Sequence, residues 1–137
     1  MTKTNPFLFI VGCPRSGTTL LRHIVGAHPQ MAVTPEAYWI PKWFEKRRGL
    51  TRDGQLTPNM IPELLANDKF KLFYLGPEVV TRLGREGQPQ SYAAFVTGIF
   101  DLYGRSRGKS LVGNKTPMPS ERWAHCTRFG LVPVSFT

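Results

Sequence analysis

Residues 12–19 read GCPRSGTT, a combination of residue types that is typical of a loop that binds an anion. Gly12 and Gly17 have the G-x-x-x-x-G spacing of a Walker A phosphate-binding loop. Glycines at this spacing let backbone N–H groups converge, and the dipole of a following helix adds to the attraction for an anion. The spacing therefore predicts a site for a phosphate-like group. The alternative is a tight turn between a strand and a helix that binds no ligand.

The loop differs from a Walker A loop at the residue after its second glycine. Thr18 stands where the Walker A lysine would contact the β- and γ-phosphates of a nucleoside triphosphate. Arg15 is the only cation within the loop, and a guanidinium can hold one terminal anionic group through two hydrogen bonds. The loop therefore disfavours γ-phosphoryl transfer and suits a donor whose transferred group is sulfuryl, which needs no bridging metal.

The flanking sequence predicts the strand and the helix that would position this loop. Residues 7–11 (FLFIV) form a short apolar run with aromatic and β-branched side chains, which is typical of a strand buried on both faces. From Thr18 the apolar residues recur at helical spacing until Gly26 or the His28-Pro29 pair. A strand, a glycine-containing loop and a helix open an α/β nucleotide-binding unit. We therefore predict the α/β class, with a P-loop-like nucleotide-binding fold and a parallel sheet.

Shorter patterns predict the remaining elements. Residues 31–33 and 111–113 favour further short strands, and residues 62–75 and 92–103 favour helices. The turn-forming residues over positions 49–60 indicate a surface loop. The aromatic side chains between residues 38 and 44 predict a packed cluster, with a platform for the substrate as the alternative.

Composition limits the class of protein further. The chain has 137 residues and a formal net charge of +9, which favours anionic partners. It carries no aromatic-interleaved RNA motif and no zinc-finger spacing, so we expect no nucleic-acid partner. Its two cysteines, Cys13 and Cys126, are too few for a disulfide framework, and the sequence has no apolar run long enough for a membrane span. We expect a cytoplasmic location. His23, His28 and His125 are not at ligand spacing, so we expect no metal site.

The segment around the loop resembles a known family. Residues 9–22 (FIVGCPRSGTTLLR) are similar to the 5′-phosphosulfate loop of sulfotransferases that use 3′-phosphoadenosine 5′-phosphosulfate (PAPS). The likeness is strongest to the branch with bacterial and tyrosylprotein sulfotransferases, and it extends over residues 7–41. It implies PAPS as the donor. It also implies that the 5′-phosphosulfate is bound by Arg15, Ser16, Gly17, Thr18 and Thr19.

The same resemblance implies catalytic roles for Glu36 and Lys115 beside Arg15. Glu36 is similar in placement to a glutamate that acts as general base on the acceptor, with a structural cap or salt bridge as the alternative. Lys115 lies in an Asn-Lys-Thr-Pro segment and is similar to a lysine that stabilises charge on the transferred sulfuryl group. The alternative for Lys115 is a solvated side chain. Tyr38 stands where tyrosylprotein sulfotransferases have an arginine that helps to hold an acidic peptide, so the acceptor is expected to be a hydroxyl or phenol of unspecified type.

The C-terminal part of the sequence departs from this family. Nothing after Lys115 matches the arginine and serine of the family's 3′-phosphate site, and residues 121–137 have no clear helical period. One hypothesis is that this tail is out of frame, which the nucleotide sequence of the gene would test. We therefore interpret residues 1–137 as a single sulfotransferase domain, truncated at its C-terminus, that transfers a sulfuryl group from PAPS to an acceptor hydroxyl. We expect little or no activity from the chain as it stands. The alternatives are a P-loop nucleotide kinase or NTPase, and a non-catalytic nucleotide-binding fragment.

Overall fold

The computed structural model of the chain describes residues 7–10, 12–13, 15–86 and 90–116. These ranges contain three strands, which are β1 (Leu8–Ile10), β2 (Met31–Thr34) and β3 (Leu111–Lys115). They also contain six helices, which are α1 (Thr18–Gly26), α2 (Trp39–Glu45), α3 (Met60–Leu65), α4 (Asp68–Lys71), α5 (Pro77–Arg85) and α6 (Tyr92–Ser106). None of these helices is both long enough and apolar enough to cross a membrane.

The three strands form one parallel sheet in the order β1-β3-β2. β3 is the last of them in sequence, yet it lies in the middle and pairs with β1 on one side and with β2 on the other. Ile10 is paired with Lys115, and Thr34 with Asn114. Parallel strands end at the same edge, and ligands of open α/β sheets bind beyond the carboxyl ends of the strands. The prediction of an α/β fold with a parallel sheet is confirmed.

Helix α6 packs against β2 and β3 and carries much of the core. Its Phe100 contacts Phe7 and Phe9, with ring centroids 5.2 and 6.1 Å apart. Tyr92 at the start of α6 is buried and donates a hydrogen bond from its hydroxyl to the carbonyl oxygen of Ile40, at 2.8 Å. Aromatic pairs of this kind add directional stabilisation to the burial of their area. α6 therefore connects α2 to the sheet.

The aromatic segment between residues 38 and 44 forms α2 and packs into the core. Trp39 and Trp43 are each 2% exposed, with ring centroids 6.2 Å apart. Trp39 also packs edge-on against Phe70 and Phe73, at 5.6 and 6.3 Å. The hypothesis of a packed cluster is confirmed. Two tryptophans buried to this extent cannot serve as a platform for a substrate.

The prediction of one helix over residues 62–75 is wrong, because the structure has two short helices, α3 and α4, in this region. Asn67 separates them: its side-chain oxygen accepts a hydrogen bond from the backbone N–H of Phe70 at 3.0 Å and caps the start of α4. Helix α5 was not predicted from the sequence. Its start signal is Pro77, which lies in the first turn of the helix, where proline is tolerated.

Helix α1 is present as predicted, although the apolar side chains that indicated it are largely exposed. Leu20, Leu21 and Ile24 are 66%, 42% and 62% exposed. Apolar residues at helical spacing predict a helix, whereas burial of its apolar face also requires a second element that packs on that face. The described residues do not cover this face of α1.

Candidate active site

The carboxyl ends of β1, β2 and β3 bring together the three segments that were predicted to act on a ligand. The loop that includes Arg15 follows β1, Glu36 follows β2, and Lys115 is the last residue of β3. Lys115 is paired with Ile10 in the sheet, and the next backbone N–H, of Thr116, donates to the Ile10 carbonyl at 3.2 Å. Because β3 is the middle strand, Lys115 lies between the end of β1 and the end of β2.

The loop between β1 and α1 is held in a compact conformation by its own backbone. Arg15 and Gly17 have positive φ angles, of 64° and 84°. The Ser16 hydroxyl donates to the carbonyl oxygen of Cys13 at 2.6 Å. A Cβ atom on Gly12 would lie 3.1 Å from Ser16 Oγ, which is tighter than an ordinary contact. Alternation of backbone conformation of this kind forms the concave nests of N–H groups that bind anions.

Helix α1 starts directly after this turn, and no side chain caps its N-terminus. The first N–H groups of a helix have no partner within the helix, and together with the helix dipole they attract an anion. The predicted binding residues are therefore placed on one continuous loop. Thr18 is buried at 8% exposure, whereas the residues exposed to solvent are Arg15, Ser16, Gly17 and Thr19. Their individual roles in binding stay a prediction.

Arg15 adopts a backbone conformation that is costly for a residue with a side chain. The left-handed conformation costs an L-amino acid about 1–2 kcal/mol, and such outliers cluster at ligand sites. The Arg15 side chain is exposed, so its burial does not offset this cost. The guanidinium is accessible to an anion that binds the loop.

Glu36 and Lys115 form an ion pair across the end of the sheet. Lys115 Nζ lies 2.8 Å from Glu36 Oε1, and the two side chains are 7% and 35% exposed. The interpretation of Lys115 as a solvated lysine is therefore wrong. The salt bridge that was the structural alternative for Glu36 is present, and its partner is the second predicted catalytic residue. The structure thus brings the predicted base and the predicted cation into direct contact.

A buried polar network fixes the segment that carries Glu36. The Asn114 amide donates to Thr34 Oγ1 at 2.7 Å and to the Pro35 carbonyl at 3.0 Å. The Thr116 hydroxyl donates to Asn114 Oδ1 at 2.8 Å and accepts from the Ala37 backbone N–H at 2.9 Å. These contacts bind both neighbours of Glu36 to β3. The sequence analysis assigned these side chains no role, although polar residues beside a predicted buried strand are a usable signal.

Tyr38 lies half-buried near the pair. Burial raises the pKa of its phenol above the ordinary value, and the negative charge of Glu36 raises it further. The phenol is therefore neutral near pH 7 and can donate a hydrogen bond. This gives the site a polar donor close to the carboxylate, at the position where the sequence analysis noted a departure from tyrosylprotein sulfotransferases.

Several sequence predictions concern metal binding or the end of the chain. Within the described ranges, no group of three or more His, Cys, Asp or Glu side chains is placed to hold a metal ion. His125, Cys126 and the tail over residues 121–137 lie outside the described residues, so the reading-frame hypothesis stays untested.

The hydroxyl of Thr116 provides a test of the polar network. Thr116→Val keeps the shape of the side chain but leaves Asn114 Oδ1 and the Ala37 N–H without their buried partner. Each such group costs about 1–3 kcal/mol, so we expect a loss of about 2–4 kcal/mol in the free energy of unfolding. Denaturant unfolding measures this loss. Thr116→Ser keeps the hydroxyl and is the matched control, and equal stability of the Val and Ser variants would contradict the proposed role of the network.

The phenol of Tyr38 reports the charge of Glu36. Glu36→Gln removes a negative charge, so the pKa of Tyr38 should fall towards its ordinary value, while burial should keep part of the shift. Since the folded-state pKa is raised, the neutral phenol contributes stability that is present below the unfolded-state pKa and is lost as pH rises through the folded-state value. Spectrophotometric titration of tyrosinate measures the shift, with Tyr38→Phe identifying the signal. An unchanged or higher pKa in Glu36→Gln would contradict the electrostatic contact.

Comparison with known proteins identifies the family to which the chain belongs. A family model described as the sulfotransferase family matches residues 6–128. Protein-tyrosine sulfotransferase A of Caenorhabditis elegans is 50% identical over 40 residues, which cover 29% of this chain and 10% of that protein. Protein-tyrosine sulfotransferase 2 of Gallus gallus is 39% identical over 54 residues, which cover 39% of this chain and 15% of that protein. The chain therefore matches only a small part of the length of these relatives. No solved structure matches.

Since the family model spans most of the chain and includes the loop, Glu36 and Lys115, the chain belongs to the sulfotransferase family.

Proposed function

We propose that the chain binds PAPS and takes part in the transfer of its sulfuryl group to an acceptor hydroxyl or phenol. The observation that carries the proposal is the placement of the loop, Glu36 and Lys115 at one edge of a parallel sheet, with Lys115 between the other two. This arrangement puts an anion-binding backbone, a cation and a carboxylate beside one another. These are the groups that the reaction requires.

In the proposed binding mode, the loop and the start of α1 hold the 5′-phosphosulfate. The uncapped N–H groups of α1 and the guanidinium of Arg15 supply hydrogen bonds and positive charge to the anion. Lys115 at the end of the neighbouring strand supplies a second cation. No metal is required, because these groups carry the positive charge that a magnesium ion supplies to a nucleoside triphosphate.

Glu36 is proposed as the general base. A bond forms between the acceptor oxygen and sulfur while the bond from sulfur to the 5′-phosphate oxygen breaks, and the acceptor proton passes to the carboxylate. The leaving group is 3′-phosphoadenosine 5′-phosphate. Positive charge from Lys115 stabilises the negative charge that develops on the bridging oxygen. Because Lys115 contacts Glu36 at 2.8 Å, an anion on the loop competes with the carboxylate for this lysine and releases the base.

A phenol is the acceptor group that the relatives favour, since those named above are protein-tyrosine sulfotransferases. The phenol of Tyr38, which is uncharged near pH 7, lies close enough to Glu36 to sense its charge. Its lack of positive charge gives no means of recognising an acidic peptide at this position. We therefore propose a hydroxyl- or phenol-bearing acceptor as the substrate class.

Nucleotide selectivity tests the donor. We expect 3′-phosphoadenosine 5′-phosphate to bind more tightly than ATP, and without Mg²⁺, because the loop lacks the Walker A lysine. Calorimetry with both nucleotides, each with and without Mg²⁺, measures the difference. Tighter binding of ATP that depends on Mg²⁺ would favour a P-loop kinase or NTPase instead.

Two variants of Arg15 separate its charge from its backbone conformation. Arg15→Ala and Arg15→Gly both remove the guanidinium, so both should lower nucleotide affinity by about tenfold or more, as expected for one charged hydrogen bond. Arg15→Gly also relieves the left-handed conformation and should be more stable than Arg15→Ala by roughly 1 kcal/mol. Wild-type affinity in both variants would contradict the role of the cation.

The ion pair provides a separate test of the chemistry. Lys115→Met should weaken PAPS more than 3′-phosphoadenosine 5′-phosphate, since only PAPS carries the sulfuryl group. Glu36→Gln should leave PAPS affinity equal or higher, because Lys115 loses its competing partner.

Any transfer of labelled sulfuryl from PAPS to a panel of phenols, alcohols and sugars should fall at least about 100-fold in Glu36→Gln, as for loss of a general base. Transfer at an unchanged rate in Glu36→Gln would contradict the role of Glu36 as general base.

A further inference from the structure

A second basic cavity lies at the free edge of β2, at the side of the sheet away from β1. Its volume is about 360 Å³. In the part of the chain that the structure describes, β2 pairs only with β3, so its other edge is open. Helix α1 contributes to one side of the cavity and the end of α6 to the other. The residues that define it are Arg22, His23, residues 31–33, Tyr103, Arg107 and Lys109.

The cavity is separate from the proposed active site. None of its lining residues belongs to the loop over residues 12–19, and neither Glu36 nor Lys115 lines it. It lies along the second half of α1, whereas the loop precedes the first turn of that helix. A ligand in the cavity would therefore contact groups to which the proposed donor site assigns no role.

The charge of the lining is entirely of one sign. Arg22, Arg107 and Lys109 contribute three cations, and no carboxylate is among the lining residues. Cations gathered around a concave surface concentrate their field in it and attract anions. The protein's formal net charge of +9 strengthens this field over the whole molecule.

The cations are positioned by the fold. The Arg107 guanidinium lies over the Tyr103 ring, 4.9 Å from its centroid. Lys109 Nζ donates to the His28 carbonyl at 3.2 Å. The Arg22 guanidinium donates to the Val33 carbonyl at 3.5 Å, which is a long contact. Side chains that are already oriented lose less conformational freedom on binding.

We propose that this cavity is a binding site for a small phosphate monoester. The volume is at the lower end of small-molecule sites, so it fits a compact ligand better than a segment of a macromolecule. Two guanidinium groups match the geometry of phosphate oxygens, which they bind in pairs. Three cations without a carboxylate favour a dianion over the single charge of a sulfate ester. The site is additional to the proposed sulfuryl transfer and does not depend on it.

Glycerol 3-phosphate is a suitable probe, used with the full chain in the Arg15→Ala background so that anion binding by the loop is weakened. Calorimetry should show binding that falls at least about tenfold when Arg107→Gln and Lys109→Gln are combined, because two charged contacts are lost. Arg105→Gln is the control for a general loss of charge, since Arg105 is exposed near the end of α6 and does not line the cavity. Thermal unfolding of each variant checks that the fold is retained.

Three outcomes would overturn the proposal. The first is no binding in the Arg15→Ala background, which would assign phosphate binding to the loop alone. The second is an equal loss of affinity in the Arg105→Gln control, which would indicate a general charge effect. The third is that glycerol sulfate or a short glutamate peptide binds as tightly as the phosphate ester, which would assign the cavity to another class of anion. All three readouts are independent of sulfotransferase activity, so failure of this proposal is distinguishable from failure of the proposed function.

Discussion

β3 pairs in parallel with β1 on one side and β2 on the other, and the rest of the site depends on this pairing. Within the sheet, β3 is the strand that joins the end of β1 to the end of β2. Lys115 thus occupies the position beside Ile10 and one strand away from Glu36. A shift of one residue in the register would turn the Lys115 side chain to the other face of the sheet, because successive side chains in a strand alternate.

Strand register alone does not position a side chain that follows the end of a strand. The hydrogen bonds of Asn114 and Thr116 perform this step, since they bind Pro35 and Ala37 on either side of Glu36. Asn114 and Thr116 are 1% and 0% exposed. Hydrogen bonds among polar groups this deeply buried are costly to leave unmade. The position of the carboxylate is therefore tied to the stability of the fold.

The long connection between β2 and β3 supplies the packing that holds this arrangement. It contains α2 to α6. Trp39 of α2 packs with Phe70 and Phe73, and α6 carries Phe100 against β1. α6 also ends beside β2, where Arg107 and Lys109 surround the second cavity. The same helix thus supports the core behind the candidate active site, and two cations of the proposed phosphate site, Arg107 and Lys109, lie just after its end.

The sequence by itself determined the features that depend on near neighbours. Residues 12–19 specified a loop between a strand and a helix, with the glycine spacing that is typical of anion-binding loops, because glycine spacing and apolar periodicity act over a few residues. Similar local patterns predicted the strand over residues 111–113, the helix over residues 92–103 and the buried aromatic cluster of α2. Apolar periodicity alone predicted one helix over residues 62–75, whereas local hydrogen bonding at Asn67 divides this segment into two helices.

Tertiary structure alone decided the contact between Glu36 and Lys115, which are 79 residues apart. It also decided the exposure of the apolar face of α1 and the gathering of Arg22, Arg107 and Lys109 around one cavity. These features depend on which strands pair and which helices pack together, and no short-range pattern in a single sequence encodes that choice.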